Sequence, residues 1–189
     1  MRIGIDMDDT ITDTYRVLVP KIAEHYNLDP YKLYNLRHDY SILENIPNFK
    51  EFLEKYRYDY LLADVPIRDN AKDVINSLYD QGCEIYIVTA RNDAEYEDPY
   101  LATKKCLEKN GIKYTEILVN SMDKGEVCKK HNINLFIDDA LYNCINVSNT
   151  NIKSIQIKTI FRPTGNICLM DSWNEIHNYI KNVTGNIIV

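Results

Sequence analysis

The sequence predicts an α/β fold: a parallel sheet wound with helices on both faces, carrying a small helical insertion after its first strand. Three observations lead there. Short apolar runs of strand length alternate with longer stretches of helical period, the order of a wound parallel sheet. The strand runs are continuously apolar, as in strands covered on both faces. Finally, about fifty residues directly after the first run show helical patterns alone.

Arg2–Ile5 is the expected first strand, and it runs straight into Asp6-Met7-Asp8-Asp9-Thr10. The insertion follows, from about Thr14 to Pro66, with helical patterns over Tyr15–Tyr26, Pro30–Leu36 and Phe49–Tyr60. Pro20 lies inside the first of these and is expected to kink or interrupt it. Asp69 or Asn70 can cap a helix bearing Val74, Ile75 and Leu78, which Gly82 would stop. The second strand is Glu84–Val88, ending at Thr89. Pro99 to Asn110, with Leu101 and Leu107, makes a helix closed by Gly111. Glu116–Val119 is the third strand and Lys124–His131 a short helix. Asn134–Ile137 leads as a fourth strand into Asp138-Asp139, and Ser154–Lys158 is a fifth. Ser172–Lys181 makes a terminal helix with Trp173, Ile176 and Ile180 on one face. The expected division is therefore a core of residues 1–13 and 67–189 with a cap of residues 14–66.

Composition narrows the function classes. The 189 residues are 45% hydrophobic and 26% charged, ordinary for a globular chain. A net charge of -6 speaks against non-specific nucleic-acid binding, which needs a basic surface. No apolar run approaches a membrane span, and nothing at the start resembles a signal peptide. Five scattered cysteines without a C-x-x-C pair read as buried or reduced thiols, so the expected compartment is the cytoplasm. His25, His38, His131 and His177 lack metal-ligand spacing. Oligomeric state leaves no trace in the sequence.

Ligands of wound parallel sheets gather beyond the carboxyl ends of the strands, and four of those ends carry polar groups here. Asp6, Asp8 and Asp9 crowd the first. Like charges that close repel, so such a cluster persists when a cation neutralises it, when one member holds a proton, or when water solvates it. Thr89 ends the second strand, Lys124 follows the third, and Asp138-Asp139 ends the fourth.

In this order, D-x-D-x-T (Asp6, Asp8, Thr10), Thr89, Lys124 and Ile137-Asp138-Asp139 resemble the four signature motifs of the haloacid dehalogenase (HAD) superfamily of phosphatases. The resemblance covers Arg2 to about Ala140. Met122-Asp123-Lys124 and the late Ser172-Trp173-Asn174-Glu175-Ile176 look like the 5'(3')-deoxyribonucleotidase branch and its bacterial relatives. The resemblance implies a Rossmann-like, HAD-like core with an inserted cap. It implies Asp6 as nucleophile, carrying an aspartyl-phosphate, and Asp8 as general acid and base. Thr89 and Lys124 would hold phosphate oxygens. Mg²⁺ would be bound by the Asp6 side chain, the Asp8 backbone carbonyl and Asp139, with Asp138 a supporting carboxylate. The implied substrate is a small phosphomonoester, a nucleoside monophosphate in this branch, and the cap would select it. Eight of the fifteen tyrosines lie in that cap, as small-core residues or as stacking surfaces for a base. Asp9, at a position often glycine in such enzymes, receives no role. Arg91 stands between substrate contact and a surface salt bridge.

Three other readings use the same residues. A sugar phosphate or a polynucleotide 3'-phosphate could replace the nucleotide. A receiver-type phospho-accepting domain shares the acidic pocket, the hydroxyl, the lysine and the cation. Against it stand the nucleophile on the first strand, the paired aspartates last, and the intervening cap. A catalytically silent binding protein is disfavoured by the intact motif set.

Overall fold

The computed structural model describes residues 1–29, 48, 51–52, 65–94, 96–159 and 164–185. Among these, six parallel strands form one sheet: β1 (Arg2–Ile5), β2 (Glu84–Val88), β3 (Glu116–Leu118), β4 (Leu135–Asp138), β5 (Lys153–Ile157) and β6 (Cys168–Met170). Their order is β3-β2-β1-β4-β5-β6. The chain builds outward from β1 to β3, then returns to β4 and builds outward the other way. The reversal sits between β1 and β4, where Ile3 pairs with Leu135 and Ile5 with Ile137.

Alternation along the strands divides the core. Ile3, Ile5, Ile85, Ile87, Ile137 and Ile155 lie in one apolar cluster. It includes Val74, Ile75 and Leu78 of α2 (Ala71–Asp80), Cys106 and Leu107 of α3 (Pro99–Asn110), and Trp173, Ile176 and Ile180 of α6 (Trp173–Gly185). Tyr86, Val88 and Phe136 point the other way. They cluster with Cys128 of α4 (Lys124–Lys130) and Val147 of α5 (Leu141–Ser148). Gly4 belongs to this second face: a Cβ there would come within 3.1 Å of Phe136 and 3.2 Å of Ile133. The missing side chain lets Phe136 lie across β1.

Most expected elements are present with shifted ends. β3 stops one residue early, and β4 runs through Asp138. Neither α5 nor β6 was anticipated. The first is a short helix without a marked apolar stripe, and the second is a partly exposed three-residue edge strand. Asn70 stands at the N-terminal boundary of α2 with φ 62°, in the left-handed region, and makes no side-chain capping bond. Asp98 does cap α3, accepting from the Leu101 amide at 2.8 Å, and Gly111 closes it at φ 64°. In the insertion, α1 (Thr14–His25) continues through Pro20, so the proline does not end it. Its last turn meets Phe52, whose ring lies 4.9 Å from His25 and 5.4 Å from Tyr26. The expected helix Pro30–Leu36, and Phe49–Tyr60 apart from Glu51 and Phe52, lie outside the described residues. No described helix is long and apolar enough to cross a membrane. All five cysteines are free thiols, three of them buried.

Candidate active site

Parallel strands in register bring their ends to one rim. Asp6 follows β1 and donates its amide to the Ile137 carbonyl at 2.9 Å, extending the ladder by one step. Thr89 does the same beyond β2, bonding the Leu118 carbonyl at 2.9 Å. Asp138 ends β4, and Asp139 follows it. Lys124 is the first residue of α4, whose start is fixed by Asp123 accepting from the Glu126 amide at 3.0 Å.

Lys124 holds the centre. It is 2% exposed, and its Nζ donates to Asp6 Oδ1 and, at 2.7 Å, to Asp138 Oδ2. Asp138 is otherwise occupied: Oδ1 accepts from the Ala140 amide at 2.7 Å and Oδ2 from Asn143 Nδ2 at 3.0 Å. Thr10 links the other two carboxylates. Its hydroxyl reaches Asp6 Oδ2 at 3.2 Å and Asp139 Oδ1 at 3.4 Å, and accepts from the Asp139 amide at 3.0 Å. Burial pushes the Asp6 carboxyl up to about 7, with Lys124 pulling the other way and Asp138 and Asp8 adding to the rise. Asp138 is raised by burial too. Lys124 is raised, because the two carboxylates outweigh its desolvation.

Among the described residues, Asp6, Asp138 and Asp139 can each offer a carboxylate oxygen within 4.8 Å of the others. When all three are ionised, like charges crowd a buried space, and carboxylate oxygens clustered this closely suit a hard divalent cation.

Asp8 stands apart from this cluster. Its carboxylate accepts from Arg91 Nε and Nη2, both at 2.8 Å, and from the Thr14 hydroxyl at 2.8 Å. Arg91 is buried, so its pairing is no surface salt bridge. Asp9 holds φ at 60°, the left-handed conformation that glycine adopts without strain. Its Oδ1 accepts from the Tyr15 amide at 2.9 Å, and Arg68 donates to its carbonyl at 2.7 Å. Trp173 Nε1 donates to the Thr10 carbonyl at 3.0 Å, so the terminal helix also pins this loop.

A cavity of about 400 Å³ opens over the rim, lined by Asp6, Asp8, Thr89, Lys124 and Asp139 among others. Of the insertion, Thr14, Tyr15 and Leu18 reach it, and from the core Tyr96, Met122 and Tyr142 do. The expected residues Asp6, Asp8, Thr89, Lys124 and Asp139 thus meet at one cavity, and Asp138 lies fully buried against Lys124. Sequence reasoning did not find Asn143, Tyr142 or Tyr96. The first two belong to α5, whose helical character went unread, and the third precedes α3 in a loop without a pattern.

No protein-family model and no curated protein sequence matches the chain. Solved structures do. A haloacid dehalogenase-like family hydrolase from Streptococcus pneumoniae superposes with a TM-score of 0.68 at 13% identity, over 95% of this chain and 97% of that one. A predicted phosphatase from Clostridium acetobutylicum gives 0.67 at 19% identity, over 96% and 98%. A HAD-hydrolase from Bacillus subtilis, itself bound to magnesium, gives 0.61 at 15% identity, over 95% and 97%. Six parallel strands in this order, helices on both faces and these superpositions over almost the whole chain show that the protein adopts the haloacid dehalogenase-like fold.

Proposed function

We propose that the protein is a Mg²⁺-dependent phosphomonoesterase working through an aspartyl-phosphate on Asp6, with (deoxy)nucleoside monophosphates as substrates. The observation that carries this reading is the meeting of Asp6, Asp8, Thr89, Lys124 and Asp139 around one cavity. A carboxylate oxygen of Asp6 attacks phosphorus, and the bond to the leaving oxygen breaks as Asp8 supplies that oxygen's proton. Asp8, now a carboxylate, takes a proton from the water that attacks the phosphorylated Asp6, which releases inorganic phosphate, frees the Asp6 carboxylate and returns Asp8 to its protonated form. Thr89 and Lys124 hold the transferring oxygens.

Asp6, the Asp8 carbonyl and Asp139 are the proposed holders of Mg²⁺. Asp138 is the supporting carboxylate, a choice favoured by its place outside the cavity lining, which Asp6 and Asp139 reach. The ion, when bound, supplies the positive charge that lets an anionic nucleophile meet a phosphate dianion.

Residues 14–66 serve as the cap in this reading, supported by the place of Thr14, Tyr15 and Leu18 on the cavity wall. Tyr15, Tyr96, Tyr142 and Met122 give the wall aromatic and apolar surface suited to a flat base. The free thiols accord with a cytoplasmic setting. A screen over nucleoside 5'- and 3'-monophosphates, sugar phosphates and a 3'-phosphorylated oligonucleotide, with and without Mg²⁺, tests the whole reading. Hydrolysis of nucleotides above the other classes is expected. Preference for a sugar phosphate would replace the substrate, and no turnover of any monoester would end the enzymatic reading.

A further inference from the structure

We propose that Arg91 is a positioning residue, whose guanidinium fixes the Asp8 carboxylate in the plane from which it serves the leaving oxygen. This rests on the reading of Asp8 as proton donor and acceptor. A single hydrogen bond would leave the carboxylate free to rotate. Two parallel bonds of 2.8 Å, from Nε to Oδ2 and from Nη2 to Oδ1, set its plane as well as its place. Thr14 adds a third bond to Oδ1 at 2.8 Å, from the first residue of α1.

The guanidinium is itself held. Nη1 lies 3.5 Å from Thr103 Oγ1, which donates onward to the Pro99 carbonyl at 2.8 Å. The Tyr96 ring sits 5.6 Å from Cζ, and the Arg91 amide donates to Thr89 Oγ1 at 3.2 Å. A chain of contacts therefore runs from the start of α3 through Arg91 to Asp8. The Arg91 side chain keeps 2% of its surface exposed and that of Asp8 keeps 30%. The arginine is thus the buried support and the aspartate the part open to the cavity.

The obvious rival role for a buried arginine in such a cavity is to grip the substrate's phosphate. All three guanidinium nitrogens already have oxygen partners, and the two best placed face Asp8. Gripping phosphate would require breaking the pair that orients Asp8.

The roles separate by leaving group. p-Nitrophenolate departs without a proton, whereas a nucleoside alkoxide needs one. In Mg²⁺-loaded protein, Arg91→Met should lower kcat for a nucleoside monophosphate about 100-fold, within the range a positioned acid contributes. KM should stay within about threefold, and kcat for p-nitrophenyl phosphate within about fivefold. Arg91→Lys keeps the charge but loses the two-point contact, so it should recover part of the loss with the same leaving-group bias. It carries the test alone if the Met variant does not fold. Adding either change to Asp8→Asn should cost nothing further. Equal losses on both substrates would mark Arg91 as merely structural. Weaker nucleotide and inorganic phosphate binding at unchanged kcat would mark it as a phosphate ligand. Either result overturns the proposal while leaving Asp8's role intact. Full nucleotide turnover by Asp8→Asn would overturn both.

Discussion

Asp6→Asn should produce a protein that is inactive and more stable than the wild type, with the gain in stability growing as pH rises. The nucleophilic carboxylate sits where burial penalises its charge: 6% exposed, with its carboxyl raised from 3.8 to about 7. At roughly 1.36 kcal/mol per pH unit, that rise costs the folded state about 4 kcal/mol once the group is fully ionised. A carboxyl raised in the folded state binds its proton more tightly there than in the unfolded chain. Its contribution to stability is therefore intact below about pH 4 and is lost as pH climbs through about 7. Asparagine never ionises, so it escapes this loss. It also preserves the neighbours: its oxygen can accept from Lys124, and its amide can donate to the Thr10 hydroxyl. The variant should match the wild type near pH 4 and exceed it by about 4 kcal/mol near pH 8. For a chain of this length that raises Tm by about 8–16 °C. Thermal and urea unfolding across pH 4–8, in chelator so that no cation compensates Asp6, is the assay. Turnover with Mg²⁺ should fall by several orders of magnitude, since an amide is a poor nucleophile. A stability gain independent of pH, or a loss at pH 8, would refute the electrostatic reasoning. Unchanged turnover would refute the assignment of Asp6.

Stripped of divalent cations, the protein should be inactive, Mg²⁺ restoring it and Ca²⁺ doing so poorly because Ca²⁺ tolerates bidentate binding that would occupy the attacking oxygen; full turnover in excess chelator would contradict this. Mg²⁺ affinity should rise between pH 6 and 8, with calorimetry in paired buffers showing about half a proton released per ion at pH 7, since Asp6 must deprotonate to ligate. Gly125→Ala should destabilise the fold by about 1–2 kcal/mol and lower kcat. The new Cβ would meet Asn146 Oδ1 at 2.8 Å and its carbonyl at 2.9 Å, strain that outweighs the roughly 1 kcal/mol gain in helix propensity and displaces the neighbouring Lys124. Unfolding curves and steady-state rates decide it. Tyr15→Leu should raise KM for a nucleotide about tenfold, as loss of one base-stacking ring would, while p-nitrophenyl phosphate hydrolysis changes little. Equal effects on the two substrates would assign Tyr15 to the cap's own packing.

Much of this architecture is local information. Ile3-Gly4-Ile5 is a buried strand because nothing in it needs water, and Gly111 ends a helix because its φ of 64° suits a residue without a side chain. The same kind of reasoning placed Asp6, Thr89 and Asp138-Asp139 at strand ends and Lys124 at the start of the helix after the third strand, and parallel register then forces strand ends together. The two missed elements, α5 and β6, owe their form to packing. Leu141–Ser148 lies on the sheet through Cys144 and Val147, and Cys168–Met170 exists because β5 offers it a partner. Neither has a period long enough to announce itself.

The sequence by itself determined which groups arrive at the rim, because strand order and residue type are written along the chain. Only the tertiary structure decided how they pair. Lys124 lies 118 residues from Asp6, and Arg91 lies 83 from Asp8. Which cation meets which carboxylate depends on distances of a few ångströms between elements far apart in sequence. Burial then sets what each pairing is worth. Outside water an unpaired charge is expensive, so the two buried cations among the described residues each sit against carboxylates, Lys124 against Asp6 and Asp138 and Arg91 against Asp8.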